Sequence, residues 1–311
     1  MDRTITVYGG ASERVETAIG EPFAAAPTSF ALISPTSGGK SQILTNIFCK
    51  FYLDKSGKSL FQRIFLFSPT VRLDEQYKTL IKLIEKLCPD QKREPCIFPD
   101  FSMEKLGSII EEQRQIVAEC RKRKLKPPQI AIILDDLGER ADVLAARKGA
   151  ASGGSHVLSL AVSGRHSQIT WAIGVQKMSM LSRGIIANVR CLVVGRLRSK
   201  HEIEVLAEEL SGLAGSKDAG LALIEYATCE PFSLLFCRLD AKDRESTFWL
   251  RFERRLTVED SLGKEQSESD GEDGPIGRRS LGKRSGAVQQ AQGDGPRTGN
   301  RAGPSKRKAG I

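Results

Sequence analysis

The sequence is poor in metal ligands. Histidine occurs three times in 311 residues, and the seven cysteines are scattered, odd in number and never closer than eight apart. Neither a zinc-type ligand spacing nor a disulfide framework can be built from that set, so most of the cysteines read as small core residues of a reducing compartment. No apolar run approaches the 18 residues that a membrane-spanning helix needs, and the opening MDRTITVYGG lacks the apolar stretch of a secretory signal. The expectation is a chain that is neither secreted nor membrane-spanning. No repeat of 20 to 50 residues is visible, which argues against a solenoid. Aromatic residues are absent from Ser261 onward, where Ser, Gly, Asp, Glu, Arg and Lys dominate. Such a segment buries too little apolar surface to offset the entropy of ordering, and is expected to be a disordered tail.

Charge sharpens that division. The net charge is +9, from 47 basic and 38 acidic residues, and the segment from Pro275 to Ile311 holds nine Lys or Arg against Asp294 alone. The globular part is therefore nearly neutral. A basic tail is attracted to polyanions without reading their sequence, and DNA or RNA is the expected one. A solubilising tail is the plainer alternative, and Lys306-Arg307-Lys308 also fits a nuclear import signal.

Short apolar runs recur at Phe30–Ile33, Arg63–Ser68, Ile130–Leu134, Ile169–Val175 and Cys191–Val194, as expected for strands buried on both faces. Helical periodicity lies between them. Leu73–Leu87 sets Leu80, Leu83, Ile84 and Leu87 on one side, Met103–Arg123 contains Ile109, Ile110, Ile116 and Val117, and His201–Leu210 continues the alternation. This pattern predicts an α/β fold, with a mostly parallel central sheet flanked by helices and ligands at the carboxyl ends of its strands. Pro231–Leu239 is a further candidate strand, with Ser246–Arg251 as its hairpin partner. The predicted divisions are an N-terminal extension over 1–27, the α/β domain over 28–258 and the tail over 259–311.

One strand runs into SPTSGGKS, from Ser34 to Ser41. It follows the phosphate-loop pattern G-x-x-x-x-G-K-[ST] except that Ser34 replaces the first glycine. Gly38 and Gly39 allow close approach of backbone N–H groups to phosphates, Lys40 would reach the β/γ-phosphates, and the Ser41 hydroxyl would ligate Mg²⁺. Ser34, Pro35, Thr36, Ser37 and Gln42 complete the expected ATP-binding set, with Gln42–Tyr52 continuing as helix. Serine suits the first position if its φ stays negative. A glycine-rich turn is the plainer reading. The second half-motif is PQIAIILDD, where Asp135 would enter the metal sphere and Asp136 would orient or deprotonate the attacking water. Two aspartates that cap the next segment remain the structural alternative.

Downstream lies Gly164-Arg165-His166-Ser167-Gln168-Ile169-Thr170-Trp171-Ala172-Ile173-Gly174-Val175-Gln176, a Gly-Arg pair before a strand that ends in glutamine. With the two half-motifs, it resembles the FtsK/HerA superfamily of DNA-pumping P-loop ATPases, which share a RecA/FtsK-like fold. The GRH triplet, Phe65-Leu66-Phe67-Ser68-Pro69-Thr70 and Ile185-Ile186-Ala187-Asn188 are most similar to its viral branch, the DNA-packaging ATPases of poxviruses, other large DNA viruses, virophages and Polinton-type elements. The similarity spans about Phe30 to Leu210. It implies an ATPase that assembles into a ring and packages double-stranded DNA into a capsid, with ATP and Mg²⁺ as cofactors and capsid proteins as further partners. The implied location is the host cell's viral assembly site, in cytoplasm or nucleus, and the virion.

The resemblance also assigns roles. Gln176 would be the γ-phosphate sensor, and its place after an apolar strand agrees with a ligand-facing edge. Arg165 would be the arginine finger acting in a neighbouring subunit, with Arg183 and Arg190 as rivals. Arg140, Arg147 and Lys148, within Gly138–Ser155, could face a DNA channel or an exposed helix surface. Three departures stand out: Ser34, an Asp-Asp pair where many relatives have Asp-Glu, and Ile186 where cellular relatives have lysine. The shorter Asp136 would hold water less closely. A cellular or plasmid translocase and a nucleotide-dependent DNA-binding protein that does not turn over are the competing readings. A GTPase is disfavoured, since no Asn/Thr-Lys-x-Asp element follows the acidic pair.

Overall fold

The computed structural model describes residues 13–137 and 156–262. Among them the strands are β1 Ser29–Ile33, β2 Arg63–Phe67, β3 Ile97–Phe98, β4 Ile130–Asp135, β5 Ile169–Val175, β6 Cys191–Val194, β7 Leu235–Arg238, β8 Phe248–Leu250 and β9 Arg254–Arg255. They form one sheet in the order β3-β2-β4-β5-β1-β6-β7-β8-β9. Pairing is parallel from β3 across to β6 and antiparallel from β6 to β9. The helices are α1 Lys40–Asn46, α2 Lys78–Leu87, α3 Met103–Lys122, α4 His156–Ser163, α5 Arg183–Ile186, α6 Lys200–Ala214, α7 Lys217–Thr228 and α8 Val258–Ser261. No helix among the described residues is long and apolar enough to cross a membrane.

The central strands form because they are apolar on both faces. Ile130 to Leu134 of β4 are all exposed by 3% or less, and all five residues of β1 are buried. Full burial of an Ile, Leu or Phe side chain contributes about 1.5–3 kcal/mol, so these runs far outweigh their modest strand propensity. The segment before β1 joins the same core. Phe23, Ala24 and Ala26 are buried, and the Tyr52 hydroxyl donates to the Ala24 carbonyl at 2.7 Å.

Several boundaries differ from the sequence expectation. The helix expected from Leu73 starts at Lys78, after a 3₁₀ turn over Glu75–Tyr77. The Asp74 carboxylate accepts from the Gln76 N–H at 2.9 Å, and that local cap wins over the periodicity, leaving Leu73 82% exposed. Ile116 sits on the rim of α3, whereas Ile109, Ile110 and Val117 are buried. The helix expected through Tyr52 is α-helical only to Asn46 and then widens into a π-turn over Ile47–Phe51. Pro231 and Phe232, expected to open a strand, form a turn instead, and β7 begins at Leu235. Its hairpin partner is β8, as the pattern predicted. Gly138–Ser155, the tail and Lys306-Arg307-Lys308 lie outside the described residues.

Candidate active site

Parallel register brings the motif residues to one edge. Ile33 is level with Val175 on one side and with Val194 on the other, so Ser34, Gln176 and Gly195 leave the sheet side by side. On the far side of β5, Asp135 is level with Gly174. β5 thus separates the loop strand from the acidic strand, and Gln176 emerges between them.

The loop from Ser34 to Ser41 closes tightly. Ser37 and Gly39 take positive φ values of 63° and 84°, and the Gly38 N–H donates to the Pro35 carbonyl at 3.0 Å. Ser34 keeps an ordinary negative φ and is 2% exposed, as a serine in place of the first glycine requires. Its hydroxyl donates to the Gly38 carbonyl at 3.2 Å. A Cβ on Gly38 would lie 2.0 Å from Ser34 Oγ, and a Cβ on Gly195 would lie 2.5 Å from it. The side chain added at the loop's first position therefore fills space that Gly195 leaves open.

Lys40 is buried, and its ammonium donates to the Ser34 carbonyl at 3.0 Å and the Pro35 carbonyl at 3.3 Å. Behind it lies a hydroxyl cluster around Tyr77. The fully buried Tyr77 hydroxyl donates to Asp135 Oδ2 and interacts with the hydroxyls of Ser41 and Ser68. Asp135 is 1% exposed, and its Oδ1, against Gly174, has no hydrogen-bond partner. Burial pushes the Asp135 carboxyl above the usual range, opposed by the Tyr77 hydrogen bond and the charge of Lys40. Burial and the neighbouring carboxylate likewise raise Tyr77.

That arrangement fits Mg²⁺. An orphaned carboxylate oxygen and a serine hydroxyl are hard oxygen donors, and Mg²⁺ commonly takes one or two protein oxygens with the rest from phosphate and water. Among the described residues no group of three or more His, Cys, Asp or Glu could hold a metal ion by itself.

Asp136 follows with a left-handed φ of 55°, which aspartate tolerates. This turns its carboxylate toward Gln176, whose Nε2 donates to Asp136 Oδ1 at a long 3.5 Å. Thr36, Ser37, Gly38, Gly39, Lys40, Ser41 and Gln42 line a cavity of about 750 Å³ together with Asp135 and Asp136. Pro35 lines an adjoining one of about 630 Å³. This is a P-loop NTPase fold.

The arginines lie elsewhere. Arg165, in the turn over Gly164–Ser167, and Arg190, just before β6, line one cavity at the amino ends of the strands, opposite the phosphate loop. Arg165 is exposed and its Nε donates to His166 Nε2 at 3.2 Å. Arg190 is largely buried, 3.8 Å from Asp240, and burial together with Arg14 and Arg165 lowers its pKa. Arg183 opens α5 and lines a separate surface with Met178 and His201.

Sequence reasoning missed Tyr77 and Gly195. Tyr77 belongs to no motif and meets Asp135 only through the fold. Gly195 had a signal, because a bulkier first loop residue needs a smaller neighbour somewhere.

No family model and no curated protein matches this chain. The chain is similar to solved structures. B204, the DNA-packaging ATPase from Sulfolobus Turreted Icosahedral Virus, aligns over 73% of this chain and 97% of its own, with 11% identity and a TM-score of 0.47. The genome packaging NTPase B204 from Sulfolobus turreted icosahedral virus 2, in complex with ATP-gammaS, covers 74% and 98% at 10% identity and 0.46. The pCW3 conjugation coupling protein TcpA, with ATPgS, covers 73% and 60% at 14% identity and 0.44.

Proposed function

We propose that this chain is an Mg²⁺-dependent ATPase that translocates double-stranded DNA, and that its DNA is a viral genome entering a capsid. The observation that carries the nucleotide half is the convergence of Lys40, Ser41, Asp135, Asp136 and Gln176 at one sheet edge, from three neighbouring strands. The DNA half rests on the sequence resemblance and on the basic tail.

Lys40 would exchange the loop carbonyls for β/γ-phosphate oxygens, and the N–H groups of Gly38 to Ser41 would cradle them. Ser41 and Asp135 would hold Mg²⁺, which supplies charge neutralisation to the phosphates when bound. Asp136 would orient or deprotonate the attacking water, and Gln176 would hold that carboxylate and report the γ-phosphate. Arg165 would stabilise transition-state charge in the next subunit's site, and assembly into a ring is then required for turnover.

Phosphate release by the full chain, measured at low salt with and without double-stranded DNA, tests this reading. Release should rise with DNA, fall as salt rises, and drop about 100-fold or more in Lys40→Ala. Equal release by the unmutated chain and Lys40→Ala overturns it. Tight ATP binding with no release selects instead a nucleotide switch that does not turn over.

A further inference from the structure

Phe232 is 83% exposed, beside the phosphate loop. It occupies the third position of the turn Glu230-Pro231-Phe232-Ser233, closed by the Ser233 N–H donating to the Glu230 carbonyl at 3.2 Å. Its φ is 59°. A proline-led turn with positive φ at that position is normally completed by glycine or asparagine, because a Cβ there is strained. Here the strain presents a bare aromatic ring to solvent, with no burial to compensate.

The turn is also anchored. Leu234 and Leu235 are buried immediately after it, the Arg251 N–H donates to the Leu234 carbonyl at 2.9 Å, and Arg251 pairs with Glu230 at 2.7 Å. Phe232 lines both the 750 Å³ cavity, with Lys40 and Ser41, and the 630 Å³ cavity, with Pro35, Arg196 and Arg198. It therefore marks where the two cavities meet, along the loop from the phosphate positions. Arg196 and Arg198 are exposed on the connection from β6 to α6, and neither pairs with a carboxylate among the described residues. Flat guanidinium groups and an exposed ring are the chemistry that takes a nucleobase by its faces.

We infer that Phe232 is the stacking platform for the nucleobase of the bound nucleoside triphosphate, with Arg196 and Arg198 closing the opposite side. This rests on the nucleotide-site reading above. Recognition by π-faces makes the site tolerant of base identity and favours purines over pyrimidines by contact area.

Titration calorimetry on the full chain with Mg-ATP and with inorganic tripolyphosphate, which has no base, separates the two readings. Phe232→Ala should weaken ATP about tenfold, leave tripolyphosphate unchanged, and bring ATP and CTP affinities together. Phe232→Gly suits a φ of 59° and should keep or raise Tm while losing the same ATP affinity, whereas Phe232→Trp should retain it. Unchanged ATP binding in Phe232→Ala, or an equal loss of both ligands, overturns the stacking role while leaving the phosphate loop intact. If Lys40→Ala binds both ligands like the unmutated chain, the nucleotide-site reading falls, and the stacking role with it.

Discussion

The Tyr77 hydroxyl donates to Asp135 Oδ2, joining the start of α2 to the end of β4 across 58 residues of chain. It gives a nearly inaccessible carboxylate a side-chain hydrogen-bond partner. Tyr77→Phe should therefore destabilise the nucleotide-free protein by about 1–3 kcal/mol. Mg-nucleotide should restore part of the loss, because the metal supplies the partner that the phenylalanine cannot. Thermal melts with and without Mg-ATP would show a larger ligand-induced shift in the variant than in the unmutated chain.

Ser34 and Gly195 should behave as one unit. Gly195→Ala puts a methyl into Ser34 Oγ and should cost more than about 1 kcal/mol and weaken ATP binding. In a Ser34→Gly background the same alanine should be nearly neutral. A double-mutant cycle on Tm and ATP affinity checks the coupling, and additive effects would refute it.

Arg165 and Arg190 differ in freedom. Arg190 is tied to Asp240, whereas Arg165 is exposed and free of carboxylate partners among the described residues. If Arg165 acts on a neighbour's nucleotide, Arg165→Ala should cut turnover by about 10³-fold or more and spare ATP binding. Mixing it with Lys40→Ala subunits, inactive for a different reason, should restore measurable turnover. No recovery on mixing would return the role to Arg190 or Arg183.

Glu13 braces the turn that carries Arg165. It accepts from Arg121 at 2.7 Å and from Gln168 at 2.6 Å, while Arg121 also donates to the His166 carbonyl at 3.0 Å. The Arg121 hydrogen bond is the main reason its carboxyl lies below the usual range. A depressed folded pKa stabilises above the unfolded value of 4.5, and that contribution is lost as pH falls through the folded value. Glu13→Gln should cost about 0.5–1 kcal/mol at pH 7, discounted for solvent screening. The gap between the two melting curves should narrow as pH falls below 4.5 and close once it has passed through the lowered folded value, and a gap constant with pH would count against the pairing.

The parts legible in the sequence are those whose physics is local or periodic. β1, β4 and β5 announce themselves because both faces are buried, so apolar residues dominate each run without the alternation of a half-exposed strand. The loop from Ser34 to Ser41 was legible because its glycines, lysine and serine are contiguous. Tyr77 was not, since a lone hydroxyl on an otherwise apolar face has no motif to betray it. Leu73 misled because the Asp74 cap, a single side-chain bond, overrode an apolar spacing. Phe232 was hidden for a related reason: an aromatic just ahead of an apolar run reads as the start of the strand, and only the turn geometry separates the two.

The phosphate loop and the Arg165–Arg190 cavity occupy opposite ends of the sheet's parallel strands. A contact that puts one subunit's arginine end against the next one's loop end joins two different surfaces. Such a head-to-tail contact cannot be a two-fold pair, in which each patch meets its own copy. Every added subunit would leave one loop end and one arginine end open until a cycle closes. An open chain would then always carry one nucleotide site without its arginine, and closure alone would make every site complete.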